Sequence, residues 1–251
     1  MIQALILGAG AKSAQSSSAA AAPDGPELPL WLAERDGEVL IQRLIRSCAG
    51  LQPRLIFAVR ADDVKRYHID SIIGLAAPGA AVVPVRGETR GAACTALLCV
   101  RHLDPEAELL VLNANEFLEI DYVAAVSDFR ARNLDAGVVV FPSLHPRYSC
   151  VRLDDEGLIV QAAEKHPISN HAIAGFYWFR RAAAFLEAAQ SMIRKDVAVD
   201  GVFFISLALN ELVLKGCRLG VIEVDRHCYQ PLKTTRQVAR YEAGLPPEIA
   251  A

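Results

Sequence analysis

Four short clusters in this 251-residue chain combine residue types able to do chemistry. Gly8-Ala9-Gly10 follows an apolar run, and closely spaced glycines let backbone N–H groups approach a phosphate or a base. The same spacing also makes a plain tight turn, and Ser13 breaks the full G-x-G-x-x-G fingerprint. In residues 87–96, Gly91 and Ala92 open a helix whose N-terminus is bare enough to meet a ring or an anion. Small residues there equally serve close helix–sheet packing. Asn113-Ala114-Asn115-Glu116 ends a strand with polar side chains that could hold a metal-bridged phosphate. Mg²⁺ prefers carboxylate oxygens to the neutral carbonyl of Asn, and a strand continuing through Glu116 would point it away from Asn115. Finally, Glu164-Lys165 precedes Asn170 and Gly175 in a connection between two strands. A Glu–Lys pair can grip a sugar hydroxyl and a phosphate together, or simply form a surface salt bridge.

The remaining reactive residues form no comparable set. The six histidines show no ligand spacing, and no Ser–His–Asp arrangement or G-x-S-x-G turn is legible. Cys48, Cys94, Cys99, Cys150, Cys217 and Cys228 are scattered without a C-x-x-C pair, as expected of reduced thiols in a cytoplasmic protein. A net charge of −3 gives no general attraction to nucleic acid. No run approaches eighteen apolar residues, so no membrane insertion is expected, and the apolar start lacks the basic lead-in of a signal peptide.

Short apolar runs alternating with amphipathic stretches must position these clusters, a pattern of βαβ units around a largely parallel sheet. Strands are predicted at 4–7, 54–59, 81–85, 109–112 and 137–141, with helices at 39–48, 62–75, 91–103 and 122–132. Antiparallel strands follow at 148–153, 158–163 and 173–179, the first two joined by an Asp154-Asp155-Glu156-Gly157 turn. Helices at 181–193 and 203–214, a strand at 219–224 and a helix at 235–241 complete the pattern. Residues 13–27, nearly all Ser, Ala, Gly and Pro, read as a flexible loop where substrate would lie.

In this order the segments resemble the sugar-phosphate nucleotidyltransferase family, the NDP-sugar pyrophosphorylase-like proteins. They resemble most its short bacterial branch associated with capsule and surface polysaccharide. The resemblance runs from Leu5 to about Tyr241 and is strongest at residues 89–98 and 163–169. Asp200-Gly201-Val202-Phe203 and Asn210-Glu211-Leu212 also fit. It implies a Rossmann-like three-layer α/β/α fold of the GT-A-like kind, with a mostly parallel mixed sheet and a small antiparallel subregion. One domain over residues 1–244 is implied, with a nucleotide half to about 141, an acceptor half from about 142 and a flexible tail at 245–251. The implied reaction joins a nucleoside triphosphate to a phosphorylated sugar or related metabolite and releases pyrophosphate, with Mg²⁺ as cofactor. By resemblance, Gly8, Ala9, Gly10, Gly91 and Ala92 line the nucleotide. Glu164, Lys165, Asn170 and Gly175 face the acceptor, Lys12 and Lys165 supply catalytic charge, and Asn115 and Asp225 are the metal positions.

The sequence departs from the family pattern on its phosphate and metal side. The family's first loop carries G-x-G-x-R and ends in P-K-P, whereas Lys12 is the only nearby cation and Glu27 or Leu28 replaces the second Lys. The metal-binding Asp falls on Asn115, the glutamate after the Asn-Gly or Arg-Gly pair on Val202, and G-T-P-x-D on Lys233-Thr234-Thr235-Arg236-Gln237. Removing one transition-state charge stabiliser commonly costs roughly a hundred- to a thousandfold in rate. Three readings stay open. In an active enzyme Lys12, Glu116, Asp121 or Asp225 would replace the missing groups. A catalytically degenerate member would bind a ligand or act as a scaffold. A glycosyltransferase would place its Asp-x-Asp metal site at Asn113-Ala114-Asn115.

Overall fold

The computed structural model describes residues 1–10 and 28–246. Lys12, the Ser-Ala-rich stretch 13–27 and the end of the expected tail, 247–251, lie outside the described residues. In chain order, β1 (Ile2–Leu7) precedes a 3-10 turn at Leu30–Leu32 and the short hairpin β2 (Glu34–Arg35) and β3 (Glu38–Val39). Then come α1 (Leu40–Ala49), β4 (Arg54–Arg60), α2 (Ala61–Tyr67), α3 (Ile69–Ala76), β5 (Ala81–Val85) and α4 (Ala92–Leu98). Next are β6 (Glu108–Asn113), β7 (Glu116–Leu118), α5 (Tyr122–Ala131), β8 (Ala136–Pro142), β9 (Cys150–Leu153), β10 (Ile159–Ala163) and β11 (His171–Phe179). The chain ends with α6 (Ala182–Arg194), α7 (Ile205–Leu214), β12 (Leu219–Glu223), β13 (Tyr229–Pro231) and α8 (Thr235–Glu242).

The main sheet pairs β5, β4, β1 and β6 in parallel, adds β11 antiparallel to β6, then β8 antiparallel to β11 and β12 parallel to β8. The β9–β10 hairpin branches from the start of β11. Every residue of β1 is buried, as a strand covered on both faces requires. Its side chains alternate between two cores: Leu5 and Leu7 enter one with α4, α6 and α7, while Ala4 and Ile6 enter the other with α1, α3 and α5. The expected three-layer α/β/α arrangement with a mostly parallel sheet is therefore present.

Two predicted helices are interrupted. The expected helix 62–75 is α2 and α3, separated by His68 in the left-handed conformation (φ 52°), whose N–H closes on the Val64 carbonyl. That is an αL termination, here without glycine. The expected helix 91–103 ends at Leu98 and continues only as a 3-10 turn at Val100–His102. More consequential is a feature the periodicity does not announce. β6 stops at Asn113, close to its expected end, but the chain then turns through Ala114-Asn115, and an unanticipated β7 starts at Glu116 to pair antiparallel with β13. All six cysteines are free, and among the described residues no helix is long and apolar enough to cross a membrane.

Candidate active site

A cleft of ≈ 690 Å³ opens where β1, β4 and β6 end at their carboxyl termini, the position at which open α/β sheets bind ligands. At its floor the two-stranded β7–β13 sheet sets Glu116 opposite Pro231, and the Leu232 N–H donates to the Asn115 carbonyl at 2.9 Å. This register brings Lys233 onto Glu116, and their charged groups form an ion pair. Tyr229 Oη donates to Glu116 Oε1 at 2.9 Å, and Asn113 Nδ2 donates to Glu116 Oε2 at 3.0 Å. Burial works against the carboxylate, but Lys233 and the Asn113 and Tyr229 hydrogen bonds outweigh it and hold its pKa below 4.5. Burial also opposes the ammonium, and Glu116 overcomes that to hold Lys233 above 10.5. Both groups are thus ionised at neutral pH.

A second carboxylate lies along the wall. Glu164, only 8% exposed, accepts through Oε2 from Ser206 Oγ at 2.8 Å and from Ser149 Oγ. Burial pushes its pKa above 4.5, with the two hydroxyl donors and then Lys233 offsetting only part. Across the cleft, Arg60 and Arg66 approach from the end of β4 and from α2, and Arg147 from the loop before β9. Among the described residues, the Arg, Lys, Asp and Glu side chains lining the cleft are four cations (Arg60, Arg66, Arg147, Lys233) and four anions (Asp62, Asp63, Glu116, Glu164).

Two glycines have a steric reason. Gly175 sits at φ +71°, and a Cβ there would lie 1.9 Å from Glu116 Oε2, so the Glu116 side chain occupies the space of that missing side chain. Gly91 sits at φ +115°, where a Cβ would lie 2.4 Å from the Phe203 carbonyl oxygen. The loop before α4 is clamped there, with Phe203 N–H donating to Arg90 O at 2.7 Å and Ala93 N–H to Phe203 O at 3.2 Å.

The residues singled out from the sequence separate into two groups. Gly8, Gly10, Gly91, Ala92, Asn115 and Glu164 line the cleft. Ala9 instead turns into the core at 2% exposure, and the space beside Gly8 is filled by the Trp31 ring. Lys165 does not line the cleft; at φ +53° it turns outward to Asp200, with Nζ–Oδ2 2.9 Å, over the Phe204 ring. Exposed Asn170 is also outside the lining, and its carbonyl accepts from Ser143 N–H. Asp225 caps the 3-10 turn Arg226–Cys228 and pairs with His227, Nδ1–Oδ1 2.6 Å, away from the cleft. Asp121 caps α5, accepting from Val123 and Ala124 N–H. The four cleft cations escaped notice because no motif marks them. The one sequence cue was that the aligned G-T-P-x-D segment begins with Lys233.

The family model for nucleotidyl transferases ("Nucleotidyl transferase") matches residues 39–206, about two thirds of the chain. The chain belongs to the nucleotidyl transferase family. Among solved structures, this nucleotidyl transferase is similar to a nucleoside-diphosphate-sugar pyrophosphorylase from Vibrio cholerae RC9 at 21% identity, covering 95% of this chain and 99% of that chain (TM-score 0.79). It is also similar to a putative glucose-1-phosphate thymidylyltransferase from Bacillus anthracis in complex with a sucrose, at 16% identity, 97% and 94% coverage and TM-score 0.70. A UDP-glucose pyrophosphorylase complexed with UDP-glucose matches at 14% identity, 97% and 98% coverage and TM-score 0.73. No curated protein matches the chain in sequence.

Mg²⁺, implied by the family resemblance, does not fit the donors at this floor. The octahedral ion wants one or two free carboxylates, but Glu116 has both oxygens engaged, by Lys233 and Tyr229 on one side and Asn113 on the other. Asn115 offers only an amide, Asp225 is elsewhere, and the described residues hold no cluster of three or more His, Cys, Asp or Glu suited to a metal.

Proposed function

We propose that this nucleotidyl transferase joins a nucleoside triphosphate to a phosphorylated sugar, giving an NDP-sugar and pyrophosphate. The observation that carries this reading is the pairing of a cation with a hydroxyl-rich acidic wall in one cleft at the strand ends. Glu164, held by Ser149 and Ser206, suits a polyol hydroxyl, while Lys233 suits a phosphate oxygen. An oxygen of the acceptor phosphate attacks the α-phosphorus, the bond from that phosphorus to the bridging oxygen breaks, and pyrophosphate carries away the electron pair. Lys233 and the rim guanidinium groups face the charge that accumulates on the phosphoryl oxygens. The solved relatives are named for nucleotide-sugar chemistry, which agrees with this substrate class. The capsule-like sequence features add surface-polysaccharide assembly in the cytoplasm as the use of the product. Pyrophosphate release, followed across the common nucleoside triphosphates with hexose 1-phosphates, tests the proposal; no turnover with any pair overturns it.

One observation favours a second reading. The carboxylate nearest the strand ends is consumed by an internal ion pair, and Asn115 stands at the family's metal position. A non-catalytic member that binds a nucleotide or sugar phosphate, as a sensor or scaffold, would show ligand-induced thermal stabilisation with no turnover.

A further inference from the structure

We infer that the Lys233 ammonium is the resident cation of this cleft, excluding a divalent metal from the strand ends and itself meeting the phosphate of the ligand. The inference rests on the reading of the cleft as a phosphate-ester site.

Position comes first. Lys233 follows directly on Leu232, whose N–H is tied to the Asn115 carbonyl, so the side chain emerges beside the position where the family pattern places its metal carboxylate. Exposure then gives direction to the pair. The Glu116 side chain is 6% exposed and that of Lys233 40%, so the carboxylate is the deeper partner and the lysine side chain is the one that reaches the open cleft. An ammonium has three N–H donors. Glu116 takes part of that capacity, leaving donors for ligand oxygens on the open side.

The support beneath is built for this pair alone. Tyr229 and Asn113 take two more of the roughly four acceptor sites of Glu116, so that both of its oxygens are engaged, and Gly175 leaves the gap its carboxylate fills. A divalent ion brought to Glu116 would displace the ammonium or lie beside it, and like charges at contact repel strongly inside a protein. Asn115 completes the arrangement, because an amide tolerates a neighbouring ammonium without adding charge that would recruit a metal.

Two measurements on the full chain test this. The first titrates Mn²⁺ into ligand-free protein and follows free Mn²⁺ by electron paramagnetic resonance. Wild type is expected to hold no Mn²⁺ at millimolar concentration, whereas Asn115→Asp combined with Lys233→Ala gains affinity at least tenfold. Wild-type binding that is abolished by Glu116→Gln overturns the inference, as does failure of the folded double variant to gain affinity.

The second measures calorimetric affinity for inorganic phosphate, glucose 1-phosphate and the common nucleoside triphosphates, in EDTA and in Mg²⁺. The tightest ligand is expected to bind within about twofold in the two conditions, and Lys233→Met to weaken it tenfold or more in both. Tenfold tightening by Mg²⁺ in wild type, or unchanged binding by Lys233→Met, overturns the inference. Glu116→Gln with Lys233→Met leaves no unpaired buried charge and guards against misfolding; it is also expected to lose binding. If no panel member binds while Mn²⁺ is still excluded, the cleft's phosphate reading fails and the exclusion of metal stands.

Discussion

Lys233 and Glu116 illustrate how a charged pair can be both a stabilising contact and a reactive one. Removing only the ammonium leaves a carboxylate at 6% exposure facing Tyr229 and Asn113 without its counter-ion. Lys233→Met should therefore lower unfolding free energy by about 3 kcal/mol, the low end for a broken buried pair because the lysine side chain is partly exposed. Chemical denaturation measures this, and Glu116→Gln/Lys233→Met should recover most of the loss. The pair also has a pH signature. Glu116 is held below 4.5 in the fold, so its contribution is present above 4.5 and disappears as pH falls through the depressed value. Lys233 is held above 10.5, so its contribution is present below 10.5 and disappears as pH rises through the elevated value. Glu164 has the opposite sign to Glu116: its raised pKa favours the fold below 4.5, and that advantage is lost as pH climbs through the raised value. Glu164→Gln should accordingly gain melting temperature relative to wild type at pH 8 and lose that gain at pH 4. An unchanged difference between the two pH values would show that Glu164 titrates normally.

At the scale of elements, the site depends on two three-residue strands, β7 and β13, and on a bend in β11 at Gly175. The pairing of β11 with β8 shifts register between Ile173 and Tyr177, around that glycine. Gly175→Ala would strain a left-handed residue and drive a methyl group into Glu116 Oε2, costing about 2 kcal/mol or more. The same variant should weaken phosphate binding, because displaced Glu116 no longer orients Lys233; a stable protein with unaltered binding would argue against that link. Long elements were legible in the sequence for simple reasons. The apolar runs of β1, β4, β6 and β8 and the periodicity of α1, α5 and α6 agree with the expected spans to within a few residues. β7 and β13 were not legible, since three residues carry no period and Ala114-Asn115, despite its Asn, is none of the dipeptides that mark a turn. A strand continued through Glu116 would have pointed that carboxylate away from Asn115, whereas after the turn both residues line the cleft. The break at His68 was hidden for a related reason, as its αL cap uses a residue type that also sits comfortably in helices.

Over the whole molecule, the cleft is assembled from both ends of the chain, which is why its central pair could not be read from local motifs. Glu116 and Lys233 are 117 positions apart, and only the packing of the C-terminal segment onto the N-terminal half joins them. Lys233 is the short link between β13 and α8, and each neighbour is anchored separately. Gln230 Oε1 accepts from Arg35 Nη1 at 3.2 Å, and the Tyr241 ring packs against Phe117 between Arg35 and Arg43. Tyr241 is fully buried, yet its hydroxyl has no hydrogen-bond partner among the described residues, so the ring and not the oxygen provides the anchorage. Tyr241→Phe should keep or slightly raise stability, by up to about 1 kcal/mol, and leave phosphate affinity unchanged. Tyr241→Ala should cost about 3–5 kcal/mol through the cavity it opens. It should also weaken phosphate binding in the fraction that stays folded, because α8 then no longer fixes one side of the Lys233 link. Calorimetric titration of Tyr241→Ala at a temperature where circular dichroism shows it folded separates the two effects. Full affinity in the folded variant would mean that β13 alone holds Lys233 in place.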